Sequence, residues 1–401
     1  MRNGLLALSA FILGVAVTST NAIAKPDKVD GLNVPSGRIP QEIKNNRYPR
    51  TYYPNTEKLG KDEMRITALG TGMPNQSPSN VATAFMVELG NGESFLFDLG
   101  TGTTDRIAGL EVDYSKLDKV FASHLHTDHV GDIAALWVGG WLNGRYTPLH
   151  VYGPSGSAPE LGTRYHIDRL REAWAWDVTS RTGTLPDKGG EIIAHEFDFS
   201  KTAVIYDKNG VKVKSFPAIH IRDGSVSYRL DWNGLSFVFG GDSAPNKWFI
   251  EYSKGADFVI HECFYTPAGL ETALGFPPRQ ATIVSSYIHT PPAGFGKIMS
   301  EVKPRLAVGY HTIRRPELDQ MILEEIRQVY DGPLVIADDL MCWTITRDAI
   351  VQREVVSAER VQAPPTTEGY KKAPRSGQAS YSKFINDGKW KGYTPPPLPE
   401  K

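Results

Sequence analysis

Apolar and polar positions along the chain fall into two successive runs of strand and helix patterns, and the first begins at residue 64. Met64-Arg65-Ile66-Thr67-Ala68-Leu69 predicts a strand that runs into the glycine turn Gly70-Thr71-Gly72-Met73-Pro74. Two further strands are predicted at 84–89 and 94–99, and the Gly90-Asn91-Gly92 between them is a hairpin signal. The apolar run 120–122 reads as a buried strand, 130–137 as a helix, 149–154 as a strand and roughly 158–177 as a helix. A second half repeats the alternation, with strands at 203–206, 211–218, 226–232, 235–239, 258–261 and 305–310 and helices near 292–302 and 316–330. Sheets covered by helices in two similar halves suit an α/β fold of the αββα sandwich type.

The flanks lack this periodicity. Residues 25–63, rich in Pro, Asn, Lys and Tyr, predict an extended N-terminal arm lying on a domain that spans 64–348. Residues 349–401 contain Ala363-Pro364-Pro365 and Thr394-Pro395-Pro396-Pro397, and are expected to form an extended or partly disordered C-terminal tail. At the start, Arg2 precedes an apolar run from Leu5 to Val17, and Ala22-Ile23-Ala24 supplies a small-residue cleavage pattern. Residues 1–24 therefore predict a signal peptide cut after Ala24, with a periplasmic or secreted product. The apolar run is short for a membrane anchor, and no later run approaches the roughly 20 apolar residues of a spanning helix, so no anchor is expected after cleavage. The leader has no twin arginine, so metal loading is expected outside the cytoplasm.

With 401 residues, 40% of them hydrophobic and 22% charged, the chain can bury a sizeable core. A formal net charge of −1 supplies no global basic field for a long nucleic acid, so a nucleic-acid partner is not expected and any anion must be captured locally. Cys263 and Cys342, the two cysteines, exclude a thiolate zinc cage and a disulfide scaffold. Each lies in apolar surroundings and is expected as a buried thiol, with pairing left open.

The chemistry concentrates in Ser123-His124-Leu125-His126-Thr127-Asp128-His129, at a strand-to-helix turn. On extended backbone His124 and His126 point to one side, and Asp128 and His129 face the same space as the helix begins. Imidazole suits zinc and a carboxylate adds a harder ligand, but one ion cannot easily take all of these from so short a loop, so two neighbouring metals are expected. Further ligands must come from later strand ends. His220, Asp242 and His311 each follow an apolar strand directly.

His-x-His-x-Asp-His resembles the metal-binding signature of the metallo-β-lactamase superfamily. Leu69-Gly70-Thr71-Gly72-Met73-Pro74, Phe97-Asp98-Leu99-Gly100-Thr101-Gly102, Tyr152-Gly153-Pro154, Gly241-Asp242-Ser243 and the stretch ending in His261-Glu262 are similar to its ribonuclease Z and arylsulfatase branch. The resemblance implies that His124, His126 and His220 bind one zinc, that Asp128, His129 and His311 bind the other, and that Asp242 bridges them. It implies an orienting role for Asp98 behind the ligands, and a general acid near the leaving group at His261. His289-Thr290 resembles a further feature of the branch, close to the substrate or to His261. His150, His166 and His195 match nothing in the branch and are assigned structural roles.

The chain departs from ribonuclease Z in lacking the glycine-proline-rich protruding arm and the Pro-x-Lys-x-Arg-Asn loop. In the arm's place 163–177 predicts a lid helix, on which Trp174 and Trp176 diverge so that one should stand near the site. The resulting expectation is an exported hydrolase with two Zn²⁺, or Mn²⁺ or Fe²⁺ in their place. Asp128 and the other ligands would support a metal-bridging hydroxide that attacks a small anionic oxyester, an aryl sulfate or a phosphodiester. A lactonase or carboxylesterase on the same metals is the alternative, ahead of tRNA 3′ processing or a non-catalytic metal- or ligand-binding protein. A homo-oligomer is left open.

Overall fold

The computed structural model of the protein describes residues 27–29, 32–34, 51–312, 316–357, 370–371 and 373–397. The expected leader, residues 1–24, lies outside them. Chain contacts divide the protein into residues 1–49 and 50–401. In the first unit Asp27–Val29 and Leu32–Val34 form an antiparallel pair.

The second unit is an αββα sandwich. One sheet has nine strands in the order Thr51–Tyr52, Ile350–Val355, Met341–Ile345, Met64–Gly70, Ala84–Leu89, Ser94–Phe97, Lys119–Phe121, Leu149–Pro154 and Ile192–Phe197. The other has seven, from Ala203–Lys208 through Val211–Pro217, Val226–Trp232, Leu235–Phe239, Phe258–Glu262 and Leu306–Tyr310 to Leu334–Ile336. Each sheet has an antiparallel half of hairpins and a parallel half whose crossovers carry helices. The two sheets meet face to face on an aromatic layer in which Phe97 packs on Phe237 at 4.9 Å between ring centres and Phe85 on Tyr310 at 5.3 Å. Outside the first sheet, helices Thr103–Gly109 and Ile133–Leu142 cover Leu69, Met86, Leu96 and Val120. Helix Ile133–Leu142 is apolar almost all round, as burial between sheet and neighbouring loops requires. Outside the second sheet, helices Lys247–Ser253, Pro292–Val302 and Pro316–Arg327 cover Val238, Val259 and Ala307.

This architecture sends the carboxyl ends of the parallel strands of both sheets to one edge, where open α/β sheets place their ligands. Asp98, Ser123, Glu262 and His311 all sit at or just after such ends. No helix among the described residues is long and apolar enough to cross a membrane. Cys263 and Cys342 are buried free thiols.

Two expectations about elements are corrected. The sheet extends past 64–348: Ile350–Val355 pairs antiparallel with Met341–Ile345 and parallel with Thr51–Tyr52. Its inward positions include Arg353, 1% exposed, whose guanidinium reaches Glu57 at 2.7 Å, so a strand with a charged core-facing residue reads as tail. The helix expected over 158–177 is broken at Trp174, whose φ of −102° and ψ of 14° end helix Thr163–Ala173 and open helix Ala175–Arg181. In the expected tail, 373–397 is largely exposed and holds the short helix Lys383–Asp387.

Candidate metal centre

His126 caps the N-terminus of the one-turn helix Thr127–Val130, which directs Asp128 and His129 inward from its first turn. The His124 and His126 rings converge from the extended segment before it, Nε2 of the first lying 3.0 Å from Nδ1 of the second. His220 arrives from the loop after Val211–Pro217, with Nε2 3.4 Å from Nδ1 of His126. Asp242 follows Gly240-Gly241. Gly241 has φ +61°, and a Cβ there would stand 2.6 Å from that of Ser123, so the backbone reaches the site only as glycine. His311, itself at φ +71°, is held by its amide donating to the Thr71 carbonyl at 2.8 Å.

The seven expected ligands come together in two sets that share Asp242. His124, His126, His220 and Asp242 form one, and Asp128, His129, Asp242 and His311 the other, with ligand atoms in each set within 4.8 Å of one another. Asp242 Oδ1 lies 3.3 Å from His129 Nε2, and its Oδ2 lies 3.3 Å from His311 Nε2 and 3.9 Å from His124 Nε2. Asp128 Oδ1, His129 Nε2 and Asp242 Oδ1 are buried without a hydrogen-bond partner among the described residues. Buried polar atoms are almost always paired, so atoms left facing one another in this way fit divalent cations.

Asp98 stands directly behind. Its Oδ2 accepts from His129 Nδ1 at 2.6 Å and from Ser123 Oγ at 2.7 Å, and its Oδ1 accepts from the Ser123 amide at 2.6 Å. Nδ1 is thereby taken up by Asp98, and Nε2 is the nitrogen turned toward Asp128 and Asp242, the one that would ligate a metal. His220 is set the same way, its Nδ1 donating to the Ile288 carbonyl at 3.2 Å.

Burial holds the His124 imidazole well below its ordinary value, reinforced by the charge of His129, and it lowers His220 to about 4. Both are neutral ligands at neutral pH. Burial also opposes charge on His129, but Asp242, Asp98 and Asp128 outweigh it and raise that imidazole. Burial raises Asp128 and Asp242 too, yet the His129 charge beside each outweighs it and holds both carboxylates ionised. Glu262 is pushed well up by burial and by the Asp242 charge. Four buried carboxyl groups in one place, of which Asp128 and Asp242 are held ionised, form a site that gains from positive charge.

His261, expected as the general acid, packs away from the candidate ligand residues. His261 is fully buried on the outer face of its strand, 4.4 Å from the Phe249 ring and facing Phe295, with Nδ1 donating to the Glu262 carbonyl at 2.8 Å. Along Phe258–Glu262 the side chains alternate: Phe258 and Ile260 enter the layer between the sheets, Val259 the outer helices. By this parity Glu262 faces the site and His261 turns away from it. Glu262 Oε1 accepts from the Ser243 amide, and its Oε2 accepts from His289 Nδ1 at 2.7 Å. His289 lies 3.9 Å from Asp242 Oδ2 and stacks on Phe264 at 4.2 Å. Glu262 faces the candidate site although the sequence reading gave it no role, and strand parity was the signal that could have found it.

Two cavities open on the centre. One, of about 600 Å³, is lined by Asp128, Asp242, His289 and His311 together with apolar residues of the 264–284 segment. The other, of about 430 Å³, is lined by His124, His126 and His220 and by Tyr165, His166 and Arg169 of helix Thr163–Ala173. The lid helix thus presents those residues, including a histidine assigned to structure. Trp174 and Trp176 are 39% and 84% exposed and line neither cavity, because the break between the helices turns both outward. His150 and His195 pair with each other at 2.9 Å in the nine-stranded sheet, away from the centre.

Residues 78–312 match the family model described as the beta-lactamase superfamily domain. Among curated proteins, ribonuclease Z of Mycobacterium marinum (strain ATCC BAA-535 / M) is 27% identical over 230 residues, covering 56% of this chain and 77% of the relative. Ribonuclease Z of Mycobacterium avium (strain 104) is 27% identical over 203 residues, covering 49% and 69%. Among solved structures, the metallo-beta-lactamase fold protein YhfI from Bacillus subtilis aligns with a TM-score of 0.54 at 20% identity, covering 71% of this chain and 100% of its own. The short form of human tRNase Z aligns with a TM-score of 0.52 at 20% identity, covering 69% and 98%. These two likenesses are of fold.

Proposed function

We propose, for a chain that belongs to the beta-lactamase superfamily domain family and is a metal-dependent hydrolase acting on ester bonds, that the substrate is a small anionic oxyester. The observation that carries this reading is the Glu262–His289 pair set against Asp242, the carboxylate common to both ligand sets. His124, His126 and His220 would hold one zinc, Asp128, His129 and His311 the other, and Asp242 would serve both. When bound, such ions lower the pKa of water and polarise the attacked centre.

The remaining work falls to side chains of this chain. Burial and Asp98 fix the ligand imidazoles in place, so little reorganisation is needed during reaction. Glu262 orients His289 through Nδ1; burial lowers that imidazole, so the donor is the imidazolium formed when the other ring nitrogen takes a second proton from solvent, which it would give to the departing oxygen as its bond to phosphorus or sulfur breaks. An anionic phosphoryl or sulfuryl group suits a centre expected to carry net positive charge once loaded, and a neutral lactone gains less from it. The ribonuclease relatives, whose chemistry is phosphodiester cleavage, favour the phosphodiester over the aryl sulfate. The sequence of residues 1–24 supports export, with processing after Ala24.

The test is a parallel assay of metal-replete protein on bis(p-nitrophenyl) phosphate, p-nitrophenyl sulfate, a chromogenic lactone and a short single-stranded RNA. Turnover of the phosphodiester or sulfate, abolished by chelation and restored by zinc, is the expected result. Turnover confined to the lactone or to the RNA would overturn the reading.

A further inference from the structure

Of the two cavities on the centre, the larger is sorted sharply by chemistry. Its floor is Asp128, Asp242 and His311, and its walls are Met73, Phe264, Leu270, Leu274, Phe276 and Val284. Among the described residues that line it there is no Lys or Arg. The smaller cavity, in contrast, carries Arg169, Arg222, Glu160 and Asp223. His289 stands at the boundary between floor and wall of the larger one, with Nδ1 held by Glu262 and one ring face covered by Phe264. His289 lines the chamber, so an oxygen that accepts its proton there lies on the chamber side. The carbon skeleton attached to that oxygen therefore lies among the apolar walls.

We infer that this chamber is a leaving-group subsite, selective for esters whose departing alcohol is an aryl or medium-chain alkyl group, with Leu270, Leu274 and Phe276 setting its size. The inference rests on the proposed oxyester hydrolysis and adds to it the substrate half that is recognised. A volume of about 600 Å³ is in the range of small-molecule pockets, large enough for a bicyclic aromatic beside the ligands. Transfer of that skeleton from water to the chamber supplies the selectivity, because a few added carbons in an apolar pocket change affinity about tenfold or more. Beyond the carboxylates and imidazoles its polar lining is Asn75 and Thr127, so a charged leaving group finds no Lys or Arg to pair with among the described lining residues. Leu274 and Phe276, only partly buried, border the chamber without forming the centre of the core.

The test compares 2-naphthyl with phenyl esters, as sulfates and as methyl phosphodiesters, because the two phenols have similar acidity and differ mainly in size. It is paired with fluorescence titration of 2-naphthol, a product that is not turned over, into metal-replete protein. The ratio of kcat/KM for naphthyl over phenyl is expected to be about ten or more, and Leu274→Trp, which fills the chamber, is expected to lower both that ratio and naphthol affinity about tenfold. Phe276→Ala, which removes a wall, should lower both as well and serves if the tryptophan variant folds poorly. Metal content should stay unchanged in each. A naphthyl-to-phenyl ratio near one, or naphthol affinity equal in the parent protein and both variants, overturns the subsite. Naphthol binding that responds to the variants while no oxyester is turned over would instead overturn the hydrolytic reading and leave the subsite standing.

Discussion

Asp98 and His129 are locked together by an Oδ2 to Nδ1 contact of 2.6 Å with neither side chain exposed to solvent. That contact sets which nitrogen of His129 faces Asp128 and Asp242, so it would act on a bound metal without touching it. Asp98→Asn offers a weaker acceptor and a competing donor, and should lower metal affinity about 10–100-fold while the fold persists. Zinc titration with a competing chelator measures it, and an unchanged dissociation constant would remove Asp98 from the site.

Asp242 occupies a different position, within reach of both ligand sets. Asp242→Ala should lose both ions, or nearly all activity, because one carboxylate serves the two sets. Elemental analysis should find close to two divalent ions per chain in the parent and a large loss in the variant. A variant that keeps both ions and its rate would show that the bridge is not needed.

The sequence made the sandwich and the convergence of the seven candidate ligand residues legible because both are periodic or local signals. Apolar strands end in His124, His220, Asp242 and His311, and a chemically odd residue after an apolar run stands out. Glu262 and His261 were harder to separate. Adjacent residues on a strand face opposite ways, and motif similarity points to the pair, not to the face; only the parity with Phe258 and Ile260 assigns Glu262 inward. The strand Ile350–Val355 was hidden because its core-facing Arg353 is compensated by Glu57, a residue nearly three hundred positions away. No window of local sequence contains that pairing. The Trp174 break was illegible for a similar reason, since a helix-period pattern continues through it on both sides.

Glu57 is itself a stability prediction. Its carboxylate is 6% exposed and receives Arg353 at 2.7 Å and Arg65 at 3.1 Å, while the two guanidinium groups pack against the Tyr52 ring at 4.9 and 4.3 Å. Removing one member of a buried charge cluster leaves the others poorly compensated, at a cost of about 3–5 kcal/mol. Glu57→Ala should therefore lower the denaturation midpoint substantially at constant m-value. A change below about 1 kcal/mol would mean that Glu88 and solvent take over the pairing.

The His261 imidazole predicts an acid limb in the stability curve. Burial against Phe249 lowers its pKa to about 4 in the folded chain, opposed only in part by the Glu262 carbonyl and Asp242. The unfolded chain takes up this proton near the ordinary value of about 6.5, before the native state does. The contribution is complete above that value and is lost as pH falls toward 4, reaching about 3 kcal/mol at the lower end. His261→Gln keeps a side-chain donor and removes the titration, so the difference between variant and parent stability should follow that window. A difference independent of pH would mean that the ring ionises freely in the folded protein.

Leaving-group dependence decides between the two histidines for catalysis. If His289 delivers the proton, His289→Ala should slow an ester with a poor leaving group by about 10² to 10⁴, the usual worth of general acid catalysis, with metal content unchanged. The p-nitrophenyl ester of the same acid should fall far less, because that phenolate departs without a proton. Glu262→Gln removes the carboxylate that orients Nδ1 and should give the same pattern at smaller amplitude. His261→Gln should leave the leaving-group dependence as it is, since its ring is on the outer face of the strand among Phe249 and Phe295. Equal losses on both esters for His289→Ala would assign that ring to binding, and a selective loss for His261→Gln would return the acid to His261 through a rearrangement of the strand. The geometry favours proton delivery by His289, because of the two histidines it is His289 that joins a carboxylate on one nitrogen to an open cavity beside Asp242.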